Sequence, residues 1–162
     1  MRRLTAVAGL VGSFVLVGFT GWGQAAVGGA HAAQATVPLR VLKAKDGEVL
    51  ALAVVRIHGR FFPFLIDTGS SKTLVDDALA KQLHLKTVGK PVNVTGVGCS
   101  EGARKVRLGR WSIGGQSLPT IVATSSVIAG ANGQAFGLLG SDVLSRFGTI
   151  SIDYAHGELT LG

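Results

Sequence analysis

The chain has 162 residues and a formal charge of +7 at neutral pH, enough for one domain and an appendage but not for two lobes with separate cores. Arg2 and Arg3 supply two of those charges and the remaining +5 is dispersed; its densest stretch, "ARKVRLGR" (103–110), alternates with apolar residues like the wet face of a strand and lacks interleaved aromatics, so no nucleic-acid partner is expected. Cys99 is the only cysteine, which excludes an intrachain disulfide and a cysteine-based zinc set and leaves the fold to stand on packing.

The first 35 residues read as an export leader. Arg2 and Arg3 begin it, "LTAVAGLVGSFVLVGF" is its apolar centre, and Ala30-His31-Ala32 or Ala33-Gln34-Ala35 is the cleavage site. Uncleaved, the same segment is a membrane anchor, because no charged residue falls between Arg3 and Arg40. The expected location is the periplasm or the exterior, with membrane contact only if the leader stays. The folded domain then spans 36–162.

Within it, short apolar segments punctuated by Gly predict an all-β domain. "VLALAVVRI" (49–57), the turn "HGR" and "FFPFLI" (61–66) predict a hairpin that runs straight into Asp67. "TLVDDALAKQLHL" changes period: Leu74, Val75, Ala78, Leu79 and Leu83 recur at helical spacing, with Asp76 or Asp77 as cap and Lys81 near the C-terminal end. A second hairpin follows, with "PVNVTGV" outgoing, "GCSEGA" at the tip and "RKVRLGRWSIGG" as one returning strand. "QSLPTIVATS" is a further strand, with Pro119 at an edge or an end. After a loop of small residues, "LLGSDVLSRFG" predicts a short helix capped by Ser141 or Asp142, and "TISIDYAHGELTLG" predicts a closing hairpin with its turn at Ala155–Glu158.

Two of these segments carry the chemistry. Asp67-Thr68-Gly69-Ser70 follows the apolar strand "FPFLI", and Gly137-Leu138-Leu139-Gly140 precedes Ser141-Asp142 and the helix "VLSRF". In order and spacing, from about Val49 to Leu161, the sequence resembles the retropepsin-like aspartic proteases, single-lobe relatives of pepsin and of retroviral proteases. The resemblance implies a closed acid-protease β-barrel with one or two short helices. It further implies an aspartic endopeptidase that hydrolyses peptide bonds without cofactor or metal, and Asp67, Thr68 and Gly69 as its catalytic residues.

In that chemistry one carboxylate takes a proton from water while a protonated partner donates to the substrate carbonyl oxygen. Two carboxyls about 3 Å apart share one proton because both cannot ionise at that distance. One such motif per chain implies a homodimer, with a second Asp67 across a two-fold axis. By the same resemblance Thr68 ties the two loops together, Gly69 lets the backbone approach a peptide or protein substrate, and the Ser70 hydroxyl bonds a carboxylate oxygen. That bond would favour the charged form and an acidic optimum. Gly96, Val97 and Gly98 lie at the tip of a substrate-covering flap, which lacks the Tyr of pepsin-like flaps. The alternative function is a non-catalytic peptide-binding module of the same fold.

The remaining polar residues read as structural. Asp142 is expected as a helix-start residue and Asp153 as a strand-end or turn residue. His58, His84 and His156 lack metal-ligand spacing. Gly96-x-Gly98 lacks the third glycine of a dinucleotide fingerprint, and no Gly-x-Ser-x-Gly elbow occurs. Asn93-Val94-Thr95 matches a glycosylation acceptor.

Overall fold

The computed structural model describes residues 34–43, 47–90, 103–128 and 133–162. The leader and the flap tip with Gly96, Val97, Gly98 and Cys99 lie outside the described residues.

The chain enters as β1 (Ala35–Lys43), a strand whose first half pairs antiparallel with β11 (Glu158–Leu161) and whose second half pairs with β2 (Val49–Ile57). The turn His58-Gly59 returns β2 into β3 (Arg60–Ile66), giving the predicted hairpin. Both of its strands alternate along most of their length. Ala53, Val55 and Ile57 on β2 and Phe62, Phe64 and Ile66 on β3 face the core, while Val54, Arg56 and Phe61 face solvent. Full burial of a side chain such as Phe64 or Ile57 contributes about 1.5–3 kcal/mol.

The predicted first helix is shorter than its sequence period suggests. Leu74–Asp76 is strand β4, and only Asp77–Gln82 is helix α1. Tertiary pairing overrides the local period here, since β4 runs parallel to β8 (Ile121–Ser126) on one side and antiparallel to β9 (Gly137–Leu139) on the other. Asp76 caps α1 as expected, its Oδ1 accepting from the amides of Ala78 and Leu79.

The second predicted hairpin has its outgoing strand, 91–97, outside the described residues, and residues 86–88, ahead of it, pair antiparallel with 105–107. Its return is two strands instead of one, β5 (Arg104–Leu108) and β6 (Trp111–Ile113), broken at Gly109-Arg110, where Arg110 takes φ +51°. A tight turn then leads to β7 (Gln116–Leu118), and Pro119 separates it from β8. The closing hairpin is β10 (Ile150–Asp153) with β11. Between β9 and β10 lie α2 (Ser141–Leu144) and a 3-10 turn (Ser145–Phe147).

The domain is mostly β with two short helices, as the sequence predicts, but the sheet does not close into a barrel. Its path runs β10-β11-β1-β2-β3-β9-β4-β8-β5, with β10 and β5 as unjoined ends among the described residues. The second edge of β2 is shared between β1 over its first half and β6 over its last three residues. The β6–β7 hairpin occupies that edge and ends there without bridging to β5.

Candidate active site

Strand β9 threads between β3 and β4, the two strands that flank the loop 67–73. Leu65 and Ile66 pair parallel with Leu138 and Leu139, while Leu74 and Val75 pair antiparallel with Leu138 and Gly137. Phe136 extends the wedge, donating its amide to the Pro63 carbonyl at 2.8 Å and accepting from the Asp76 amide at 2.9 Å. Its ring meets Phe62 edge-on at 5.7 Å. Gly137 is glycine because a Cβ there would intrude on the ring of fully buried Phe64.

Asp67 is the first residue past β3 and donates its amide to the Leu139 carbonyl at 3.1 Å. Its Oδ1 accepts from the amides of Gly69 at 2.9 Å and Ser70 at 3.2 Å. This is local Asp turn chemistry, which orients the carboxylate against its own loop. Oδ2 has no hydrogen-bond partner among the described residues. Thr68 and Gly69 are exposed at the loop tip, and the Thr68 hydroxyl has no partner among the described residues. The loop therefore offers one fixed carboxylate with a free oxygen and an accessible edge.

Ser70 departs from expectation. Its hydroxyl donates to the Lys72 carbonyl at 2.9 Å, bracing the loop internally, and it is the backbone amide of Ser70 that reaches the carboxylate. A hydroxyl two residues from a carbonyl in a tight turn meets it first, so the side chain is spent locally.

Asp142 lies in the first turn of α2, as expected of a helix-start residue, but neither it nor Ser141 is the cap. The N-cap position of α2 is Gly140, with no side-chain cap bond. The Asp142 carboxylate turns to the loop instead, where its Oδ1 accepts from Thr73 N at 2.9 Å and Thr73 Oγ1 at 2.8 Å. Thr73 is wholly buried. Its Oγ1 accepts in turn from the Gly140 amide at 3.2 Å, and Ser141 N donates to the Ser70 carbonyl at 2.8 Å. Gly140 packs so tightly that a Cβ would stand 2.6 Å from the Lys72 carbonyl carbon. Sequence reading missed Thr73, whose only signal is a Thr at the far end of the acidic turn.

Beside this site Asp77, the first residue of α1, binds Arg104 on β5 at 3.0 Å and accepts from the Ser125 hydroxyl on β8. Burial pushes its carboxyl up, but the bonds from Ser125 and Arg104 and the charges of Arg104 and Lys81 outweigh it and hold the group below its ordinary value. Asp153 ends β10, the strand-end place expected of it, accepting from the amides of Ala155 and His156 and pairing with the His156 ring at 2.7 Å. His58 and His84 occupy turns at positive φ.

The site thus joins an apolar strand ending in a turn-fixed Asp to a Gly-Leu-Leu-Gly strand threaded beneath it. The chain belongs to the aspartyl protease family, whose model matches residues 53–143 and so spans the loop and the start of α2. Its fold is similar to that of a retropepsin-like aspartic protease from Rickettsia conorii, with a TM-score of 0.54 and 20% identity over 79% of this chain and 89% of that one. The retroviral protease-like domain of Ddi1 from Leishmania major also aligns, with a TM-score of 0.48 and 15% identity over 69% and 87% of the two chains. Among curated proteins none matches.

Proposed function

We propose that the chain is an exported aspartic endopeptidase that works as a homodimer, with Asp67 of each copy forming the dyad. The observation that carries this reading is Asp67 Oδ2, which has no hydrogen-bond partner among the described residues, while Oδ1 is fixed by the Gly69 and Ser70 amides. A single carboxylate cannot act as base and acid in the same step, so a second copy supplies the other.

In the proposed reaction the ionised Asp67 removes a proton from water and the water oxygen bonds to the peptide carbonyl carbon. The protonated Asp67 of the second copy donates to the carbonyl oxygen, giving a neutral gem-diol. Collapse of that intermediate breaks the C–N bond as the nitrogen takes a proton from the first carboxyl, and the second recovers its own. Thr68, with no hydroxyl partner among the described residues, suits a tie across the axis. Gly69 suits close approach of the substrate backbone, and Ser70 supports the carboxylate through its amide. Gly96, Val97 and Gly98 would cover the bound peptide and exclude water. Residues 1–35 would direct export.

The test compares the purified protein with its Asp67→Asn variant on a mixed peptide library at acidic and neutral pH, with cleavage read by mass spectrometry. We expect an acidic optimum and a loss of at least about 100-fold in the variant. Equal cleavage by both proteins defeats the proposal, and cleavage by neither favours the peptide-binding module.

A further inference from the structure

Besides the Gly140 amide on Thr73 Oγ1, the segment 139–142 grips the loop 67–73 at three points. Leu139 takes the amide of Asp67, Ser141 donates to the carbonyl of Ser70, and Asp142 takes both donors of Thr73. The first two contacts use backbone that any residue provides. The third depends on a side chain, and that side chain belongs to an acid that neither caps its own helix nor lies in the acidic turn.

We propose that Asp142 is a positioning residue for Asp67, acting through Thr73. Thr73 is wholly buried, so its N–H and O–H must find acceptors inside the protein. Asp142 Oδ1 is the acceptor for both. The remaining polar atoms of Thr73 are also committed, its Oγ1 to the Gly140 amide and its carbonyl to the Thr124 amide at 3.1 Å. Removing the Asp142 acceptor leaves two buried donors unsatisfied, and the segment 70–73 must turn to reach water. Ser70 moves with it. The Ser70 amide is one of the two donors that fix Asp67 Oδ1, so the displacement reaches the carboxylate although Asp142 touches no reacting atom.

A shift of about 1 Å at a reacting group costs on the order of 100-fold in rate. It leaves ground-state contacts of the substrate elsewhere in the cleft intact, so the loss falls on kcat more than on KM. An amide oxygen at position 142 can accept the same two bonds, whereas a methyl group cannot.

The inference rests on the peptidase reading, and its experiment keeps the two apart. Full-length Asp142→Ala and Asp142→Asn are compared with wild type by peptide turnover and by hydrogen exchange at the amides of Ser70 and Thr73. We expect a folded Asp142→Ala protein whose kcat falls at least about 10-fold with KM changed less than about 2-fold. Its exchange should be faster at both amides, and Asp142→Asn should restore most of the rate and protection. Wild-type kcat in Asp142→Ala, a loss confined to KM, or Asn behaving like Ala overturns the proposal. If wild type cleaves nothing, the peptidase reading fails by itself. Exchange then decides this one, and unchanged protection in Asp142→Ala overturns it. If Asp142→Ala does not fold, Thr73→Val, which deletes only the hydroxyl side of the tie, takes its place with the same two readouts and the same contrary results.

Discussion

The Asp67 amide donates to the Leu139 carbonyl at 3.1 Å, so the acid that ends β3 hangs from a strand that arrives more than seventy residues later. The parallel register of Leu65 with Leu138 and Ile66 with Leu139 sets the height of that bond. Placement of the carboxylate is thus a tertiary property, and changes beneath the loop should be felt at its tip.

Gly140 offers the most direct way to change what lies beneath. In Gly140→Ala the new Cβ stands 2.6 Å from the Lys72 carbonyl carbon and 2.7 Å from its oxygen. Backbone atoms cannot swing aside as a side-chain tip does. Stability should fall by about 1–3 kcal/mol and peptide turnover by at least about 10-fold, as measured by urea unfolding and by initial rates. An unchanged midpoint together with unchanged turnover would show that the contact is not tight.

What the sequence made legible was local. Asp67-Thr68-Gly69 and Gly137-Leu138-Leu139-Gly140 could be read because each is a continuous string, and the β2–β3 hairpin because its alternation is clean. Leu74 and Val75 have helical spacing, and only their pairing with β8 and β9 makes them strand. Strand β1 has a weak sequence signal because it adjoins the N-terminal apolar segment and holds Pro38, a poor strand residue, opposite Glu158 on β11. The Thr73–Asp142 tie links residues 69 apart, and no local pattern encodes such a pair.

The pair of Asp77 and Arg104 fastens α1 to β5. Because the folded carboxyl lies below its ordinary value of 3.8, its stabilisation is fully present above that value and is lost as pH falls through the lower folded one. Asp77→Asn should therefore be less stable than wild type at neutral pH, and the two should converge under stronger acid. Urea midpoints of both proteins between about pH 2 and pH 7 would measure this. A constant gap across that range would contradict it. The Arg104 side chain is 40% exposed, which keeps the expected gap modest.

The proposed export makes a prediction about mass. Strand β1 begins at Ala35, paired with Leu161, so cleavage after Ala32 leaves the whole strand and cleavage after Ala35 trims its first pair. Intact-mass analysis of protein from the native host should find a start at Ala33 or Thr36. A chain that still begins at Met1 in the membrane fraction would mean an anchor instead of a cleaved leader.

The central claim is that Asp67 works only opposite a second Asp67. Wild type and Asp67→Asn, mixed in equal amounts and allowed to exchange subunits, give random pairing in which about one quarter of the dimers hold both carboxylates. Peptide turnover should then be about one quarter of that of the same total amount of wild type. Turnover of one half, tracking the wild-type content alone, would mean that each chain carries a complete site.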